Sequence, residues 1–276
     1  LPESDIDSSS GSLTGSRSRS NYTGQLNIVN TIDKNLGVNG DITAGNKKIF
    51  RKAIGNIGGI SKWYSSVEKD KILFNAVDPL KEMLTDWVSW MISEEFTPYS
   101  GNNYARINDA YRTIADQEAT KKERGKYAAT AGTSNHGWGI AIDLQYFKKD
   151  GTVIKNYVGV EPNKRPNIKQ GFDFNENESI VWLLDNSYKY GWVIPYKLRD
   201  GRGNGDEFWH WEYHGTAAVC HMRKYPNTYG HITKVNEPQK DSVTNPRLPD
   251  GTQDVYSDKD CGGSKTEGSD GSDIDS

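Results

Sequence analysis

The feature that most constrains this fold is the uneven distribution of its large apolar side chains. In a chain of 276 residues they are concentrated between about residues 72 and 232. Residues 1–24 are mostly Ser, Gly, Asp and Arg, and residues 236–276 have the same character. Such segments cannot bury enough surface to offset the entropy lost on ordering. The sequence therefore predicts one globular unit with a single sizeable core between two flexible polar arms.

Charge and hydropathy exclude several classes of function. The formal net charge of -3, with both signs mixed along the chain, gives no electrostatic reason to expect nucleic acid or an anionic membrane as a partner. No apolar run approaches the ~20 residues needed to span a bilayer. The chain starts at Leu1, without an initiating Met and without the basic and apolar start of a signal peptide. This start fits a processed or excised piece of a longer chain.

The two cysteines, Cys220 and Cys261, do not have the spacing of a zinc finger or of a redox pair. One interpretation is a disulfide that ties the polar tail back to the core. The other is two free thiols, and the sequence does not separate these alternatives.

An amphipathic stripe predicts a helix over residues 78–93. Asp78 is the expected N-cap, and Pro79 occupies the first helical position, where its missing N–H costs nothing. Large apolar residues then recur at steps of three and four, as on the buried face of a helix.

Two more helices are predicted, over residues 113–124 and 179–190, the second ending at Gly191 as its C′ residue. A strand ending at Tyr111-Arg112 precedes the first of them. Arg112 at a strand end can face a cleft and offer a forked donor to a carboxylate or an oxyanion. A solvated surface arginine is the alternative, and the residues alone leave both open.

The signal is weak before the first helix. Short strands are possible at 26–30 and 38–42, and one or two helical turns at 47–54, with glycines as turn residues. The segment 25–74 is either a small accessory region or an extension packed on the main domain. Further on, Lys148 to Gly151 predicts a hairpin turn.

A histidine and a carboxylate enclose a short apolar run from His136 to Asp143. The small residues Gly137, Gly139 and Ala141 let the backbone pack closely there. Asp143 ends the apolar run, where an unpaired carboxylate next to the core would be costly. A metal ion would remove that cost, and so would an arginine or backbone donors.

A second carboxylate and histidine, Glu207 and His210, are three residues apart and near enough to serve one centre. Neither the deaminase signature nor the helical His-Glu-x-x-His of many metalloproteases is present. His214, four residues after His210, is the runner-up ligand, because the neighbouring Trp209 and Trp211 favour a strand over a helix. Two imidazoles and one carboxylate are a common zinc ligand set, with the second carboxylate available as a general base.

Together these residues resemble the zinc D-alanyl-D-alanine carboxypeptidases, part of a wider group (often called LAS) that includes phage L-alanyl-D-glutamate endolysins and the hedgehog signalling domain. The resemblance rests on Ser134-x-His136-x-x-Gly139-x-Ala141-x-Asp143 and on Glu207-x-x-His210 before Trp211. It extends to Tyr111-Arg112-Thr113 with Gln117 and to Trp182 through Trp192, covering about residues 75–225. Thr113 replaces a usual Ser, and Phe208 stands where the family often has Pro. Neither change removes a chemical group that the mechanism needs.

The resemblance implies a role for each motif residue. His136, Asp143 and His210 would bind one zinc ion. Glu207 would be the general base that takes a proton from water and delivers it to the leaving amine. Arg112 would bind the substrate carbonyl or carboxylate and stabilise the oxyanion.

Four further residues would complete the implied site. Ser134 and Gln117 would orient the ligand or substrate, and Trp209 and Trp211 would wall the pocket. The implied function is hydrolysis of a peptide bond in the stem peptide of bacterial peptidoglycan, either as a D-Ala-D-Ala carboxypeptidase or as an L-Ala-D-Glu endopeptidase. A non-catalytic, zinc-stabilised binding or structural module is the alternative, although the retained base and arginine argue against it.

The implied fold is α+β, with an antiparallel sheet that carries the zinc site and helices that cover it. The expected organisation is a flexible arm, an accessory or N-terminal extension, a zinc peptidase domain and a flexible tail, at residues 1–24, 25–74, 75–235 and 236–276. The arms suggest a module of a larger assembly, such as a phage tail or virion lysin, with other virion proteins as partners. A virion-associated or cell-envelope-facing location follows from that hypothesis.

Overall fold

The fold is an α+β arrangement of two sheets and flanking helices, in a computed structural model that describes residue 40 and residues 51–125, 128–132, 134–154, 177–194, 208–224 and 239–244. Within those residues the strands are β1 (Arg51–Ala53), β2 (Ile60–Lys62), β3 (Lys71–Leu73), β4 (Ala105–Asp109), β5 (Ala141–Gln145), β6 (Trp192–Val193) and β7 (His210–Tyr213). The helices are α1 (Phe74–Ser93), α2 (Ile114–Arg124), α3 (Asn135–Trp138), α4 (Glu178–Asn186) and α5 (Ala217–Lys224), with a 3-10 helix at Ser187–Tyr190. The α+β class predicted from the sequence is confirmed.

The larger sheet has five strands in the order β2-β4-β5-β7-β6. Strands β4, β5, β7 and β6 pair antiparallel, as predicted, whereas β2 runs parallel to β4 at one edge. Every residue of β5 and of β7 is buried. Both faces of these central strands are therefore covered, which removes the usual alternation between apolar and polar residues.

Helix α1 packs its apolar face against the core, as predicted. It begins at Phe74, whereas the sequence predicted a start at residue 78. Asp78 is therefore not the N-cap, and Pro79 lies inside the helix. A proline inside a helix removes one backbone hydrogen bond to the preceding turn. The helix continues upstream nonetheless because Ala76 and Val77 are fully buried.

Helices α2 and α4 lie close to their predicted positions. Thr113 caps α2 in a capping box with Asp116, each side chain bonding the backbone N–H of the other residue. The strand before α2 ends at Asp109, so Tyr111-Arg112 lies in the connection rather than at the strand end. After α4 the chain tightens into the 3-10 helix, and Gly191 follows with a φ of 78°, as predicted for a C′ glycine.

The described part of the N-terminal region joins the same core as the main domain. Strands β1 and β3 form a two-stranded antiparallel ribbon, and β2 belongs to the larger sheet. Residues 51–53 are strand, so the helical turns predicted over 47–54 are not found there. Ile54 and Ile72 are fully buried in the core. The boundary at residue 75 stays a prediction, and the strands predicted over 26–42 lie outside the described residues except for Gly40.

The short segment 239–244, which falls in the predicted tail, is bonded to the domain. Gln239 Nε2 donates to the backbone oxygens of Tyr188 and Gly215 at 3.1 and 3.0 Å. The Tyr213 hydroxyl donates to the backbone oxygen of Thr244 at 2.8 Å. The predicted arm at residues 1–24 and the rest of the tail lie outside the described residues.

Two further expectations concern the cysteines and membranes. Cys220 is disulfide-bonded, and Cys261, the other cysteine of the chain, lies outside the described residues. Among the helices that the structure describes, none combines the length and the apolar composition required to cross a bilayer. The hairpin turn predicted at residues 148–151 is confirmed by the pairing of Phe147 with Val153.

Candidate metal centre

Two neighbouring strands and one short helical turn bring three potential metal ligands together. Asp143 on β5 lies opposite His210 on β7, and His136 lies on α3 directly before β5. His136 Nε2 is 3.2 Å from His210 Nδ1 and 3.3 Å from Asp143 Oδ1, and the last two atoms are 3.0 Å apart. All three side chains are buried. The residues predicted as metal ligands are therefore adjacent in the structure.

Hydrogen bonds at the outer ring nitrogens orient both imidazoles. His136 Nδ1 lies 2.6 Å from the backbone oxygen of Ala110, which can only accept, so we assign the proton to Nδ1. His210 Nε2 lies 3.1 Å from Glu212 Oε1, a carboxylate oxygen that can only accept, so in His210 we assign the proton to Nε2. In neutral rings the lone pairs of His136 Nε2 and His210 Nδ1 then both face Asp143 Oδ1.

This geometry fits a divalent cation. Three electron-rich atoms this close repel one another unless a proton or a cation lies among them. Zinc ligands at about 2.0–2.2 Å in tetrahedral geometry are about 3.4 Å from each other. The separations of 3.0–3.3 Å between the three donor atoms come close to that value. The donor set of two imidazoles and one carboxylate also suits zinc.

Arg112 binds the other oxygen of Asp143. Its Nη2 donates to Asp143 Oδ2 at 3.1 Å, and its Nε donates to Asp109 Oδ2 at 2.6 Å. Its Nη1 donates to Gln117 Oε1 at 3.2 Å, while Gln117 Nε2 donates to the backbone oxygen of Ala129 at 2.7 Å. Arg112 is only 8% exposed, which excludes a solvated surface arginine. The guanidinium is thus held in one orientation beside the three candidate ligands.

Burial and neighbouring groups set the protonation of the cluster. Burial raises the pKa of Asp143, but the adjacent His136 and His210 outweigh it and hold that pKa well below its usual range. Burial and the Arg112 charge lower the pKa of His136. Burial also lowers the pKa of His210, but hydrogen bonds to Asp143 and Glu212 outweigh it and raise the pKa to about 10. Without a metal, His210 therefore holds a proton near neutral pH.

Glu212 is a site residue that the sequence did not single out. It is fully buried and accepts from His210 Nε2 and His214 Nε2, both at 3.1 Å, and from the Asn135 amide. Burial raises the pKa of Glu212, but the two histidines outweigh it and lower the pKa to about 2. His214, the runner-up ligand, faces Glu212 and not the metal cluster. The sequence did contain a signal for Glu212. It lies two residues after His210, and residues two apart on a strand share a face.

The other predicted site residues are placed differently. Ser134 is buried directly before α3. Trp209 and Trp211 are 3% and 0% exposed and belong to the hydrophobic core, where the Trp211 indole donates to the Tyr146 hydroxyl. Trp211 lies on the opposite face of β7 from the metal ligands, because side chains alternate along a strand. The structure therefore does not bring Trp211 to the site. Glu207 lies outside the described residues.

The α+β domain thus carries a buried candidate metal centre of two imidazoles and one carboxylate on an antiparallel sheet. Residues 100–216 match a family model described as VanY: D-alanyl-D-alanine carboxypeptidase. The matched segment includes all three candidate ligands, so this part of the chain is similar to the D-alanyl-D-alanine carboxypeptidase family. The resemblance found in the sequence is thereby confirmed.

Several solved structures are similar to the chain at low identity. One is the LD-carboxypeptidase LdcB, at 23% identity and a TM-score of 0.37, covering 59% of this chain and 69% of that one. A second is the vancomycin-resistance D,D-pentapeptidase VanY in complex with Zn(II), at 21% identity and a TM-score of 0.36. The match covers 56% of this chain and 79% of that one. A third is DacB from Streptococcus pneumoniae D39, at 21% identity and a TM-score of 0.31. The match covers 55% of this chain and 76% of that one. Similarity at this level carries no inference about substrate or metal. No matching sequence was found among the curated proteins.

Proposed function

We propose that this chain hydrolyses a peptide bond in the stem peptide of bacterial peptidoglycan and that removal of a terminal D-alanine is its principal reaction. The observation that supports this most strongly is the convergence of His136 Nε2, His210 Nδ1 and Asp143 Oδ1 within 3.0–3.3 Å of each other. These atoms lie in the segment that matches the D-alanyl-D-alanine carboxypeptidase family model. Cleavage of an internal L-Ala-D-Glu bond is the second outcome that the test must distinguish.

Three residues would hold the metal. His136 and His210 would each offer the lone pair opposite their bonded N–H, and Asp143 would offer Oδ1 because Arg112 occupies Oδ2. Zinc bound there would supply Lewis-acid chemistry, which polarises a carbonyl and lowers the pKa of water from 15.7 to about 7. Glu212 would hold the His210 ring in the required orientation.

Glu207 is the proposed general base. It would take the proton from the attacking water and deliver it to the leaving amine, so that one carboxylate serves both steps. Its assignment rests on the family motif, in which this carboxylate precedes His210 by three residues.

Arg112 is proposed to stabilise the negative charge that develops on the substrate carbonyl. A fixed positive charge is most useful when it needs no reorganisation during the reaction. The bonds to Asp109, Asp143 and Gln117 hold the guanidinium in place before substrate arrives. Ser134, buried directly before α3, is proposed to orient the substrate together with Gln117.

The test is digestion of purified peptidoglycan followed by mass analysis of the soluble products. Zinc-loaded wild type should release product, and Glu207→Gln should release almost none while keeping its zinc. Glu118→Gln, which changes an exposed carboxylate on α2 in the same way, should leave the rate unchanged.

The products identify the bond. Free D-alanine indicates a carboxypeptidase, and shortened stem peptides without free D-alanine indicate an endopeptidase. No product from the zinc-loaded wild type would refute the hydrolase and favour a zinc-stabilised binding module. The suggested role in a phage tail or virion remains a prediction.

A further inference from the structure

Helix α3, which carries His136, is too short to hold its own shape. It has four residues, Asn135–Trp138, and Gly139 ends it in the left-handed conformation with a φ of 72°. A single helical turn is unstable in isolation because nucleation fixes several dihedral angles for very few hydrogen bonds. The carbonyl groups at the end of a helix also lack partners within it. The position of His136 must therefore be fixed by other parts of the chain.

Partners for the carbonyls that follow His136 come from residues before 74. The Gly137 carbonyl accepts from Gly40 N at 3.0 Å and from Arg51 Nη2 at 3.2 Å. The Trp138 carbonyl accepts from Arg51 Nη2 at 3.3 Å. The Gly139 carbonyl accepts from Leu73 N at 2.6 Å. Three successive carbonyls are thus bonded to Gly40, Arg51 and Leu73, which we call the N-terminal clamp.

The β1–β3 ribbon explains why two clamp donors reach the same turn. Arg51 and Leu73 are directly opposite each other in its antiparallel register. The ribbon therefore presents the Arg51 guanidinium and the Leu73 N–H side by side. Arg51 is buried, and its guanidinium lies 5.2 Å from the centre of the Tyr111 ring. A cation at a helix C-terminus also complements the partial negative charge of the carbonyls.

The clamp packs closely against both α3 and α2, and a glycine lies at each of the two contacts. A Cβ on Gly139 would lie 3.1 Å from Arg51 Nε and 3.2 Å from Leu73 N. Gly40 has a φ of 80°, and a Cβ there would lie 2.8 Å from Ile114 N. The Gly40 oxygen accepts from Ile114 N at 3.1 Å. Gly40 thus links the start of α2, just after Arg112, to the turn that carries His136.

From these contacts we infer that the N-terminal clamp positions His136 for metal binding and that Arg51 is its principal positioning residue. The inference rests on the proposed function, since it concerns the same metal site. The clamp lies before residues 100–216, the segment that matches the family. The inference thus gives residues before position 100 a role at the metal site, and the family match does not reach these residues.

The test compares Arg51→Met with Lys52→Met in the whole 276-residue chain. Lys52 is the adjacent cation on the same strand, but its side chain is 49% exposed. Zinc dissociation constants are measured by competition with a chromophoric chelator, and the site geometry by visible absorption of the cobalt(II)-substituted protein. Thermal unfolding of the metal-free proteins shows whether each variant is folded.

Arg51→Met should weaken zinc binding by about tenfold or more and change the cobalt spectrum, while Lys52→Met should match the wild type in both. Arg51→Lys, which keeps a cationic donor, should recover part of the loss. If Arg51→Met does not fold, Arg51→Gln replaces it under the same criteria. A folded variant with wild-type zinc affinity and cobalt spectrum would overturn the inference and leave the proposed function standing. Absence of metal binding by the wild type would overturn both.

Discussion

Replacing Glu212 should weaken zinc binding although this residue is not a metal ligand. Its carboxylate receives N–H groups from His210, His214 and Asn135 in a fully buried position. The bond from His210 Nε2 is the one that matters for the metal, because it keeps one ring proton on Nε2, so that loss of the other proton frees the Nδ1 lone pair for the metal. Without that acceptor, the neutral ring of His210 can keep its remaining proton on Nδ1, where it competes with the metal.

The two informative substitutions differ in what they remove. Glu212→Gln keeps the shape and one acceptor oxygen but loses the charge, and we expect about a tenfold loss of zinc affinity. Glu212→Met removes all acceptors, and we expect a loss of about a hundredfold, or about 2.8 kcal/mol. Each N–H group that Met leaves buried without a partner also costs about 1–3 kcal/mol of folding free energy.

Competition with a chelator gives the zinc dissociation constants, and urea unfolding of the metal-free proteins gives the folding free energies. Glu118→Gln on the exposed surface of α2 is the control and should change neither quantity. Unchanged zinc affinity in folded Glu212→Met would show that the bond between Glu212 and His210 does not orient the ring for metal binding.

Two further predictions concern pH and the core. The pKa of His210 is raised to about 10 without metal, so zinc binding at pH 7 should release about one proton. For the same reason the zinc affinity should rise about tenfold per pH unit between pH 7 and pH 10. Calorimetry in buffers of different ionisation heat measures this release, and its absence would contradict the assigned protonation. The same raised pKa stabilises the metal-free fold fully below pH ~6.5, and this contribution is lost as pH rises toward 10. Leu80→Ala, at a fully buried position of α1, should cost about 2–5 kcal/mol in urea unfolding. Ile92→Ala, 55% exposed on the same helix, should cost less than about 0.5 kcal/mol, and equal costs would contradict the packing described.

The ligand cluster was predictable because its signals are local and chemically specific. Asp143 at the end of an apolar run required compensation by a metal ion, an arginine or backbone donors. The family motif then grouped it with the two histidines as ligands of one metal. What the sequence could not supply was the register that places Asp143 opposite His210, 67 residues further along the chain. Strand register depends on pairing across the whole sheet.

The incorrect predictions share one cause, which is tertiary packing. The family resemblance implied that Trp211 lies at a pocket wall, but side chains alternate along a strand, and Trp211 packs in the core on the other face of β7. Glu212 was overlooked because a charged residue in a strand usually faces solvent, whereas every residue of β7 is buried. Pro79 indicated a helix start, yet burial of the preceding residues extends α1 through it.

The most direct test of the proposed metal site is the zinc content of the purified chain, combined with X-ray absorption to identify the ligand atoms. We expect one zinc per chain, coordinated by nitrogen and oxygen only, with two imidazoles among the ligands. We also expect His136→Ala to lose most of this zinc. A chain that binds no zinc, or that binds it equally well after His136→Ala, would show that these residues do not form a zinc site.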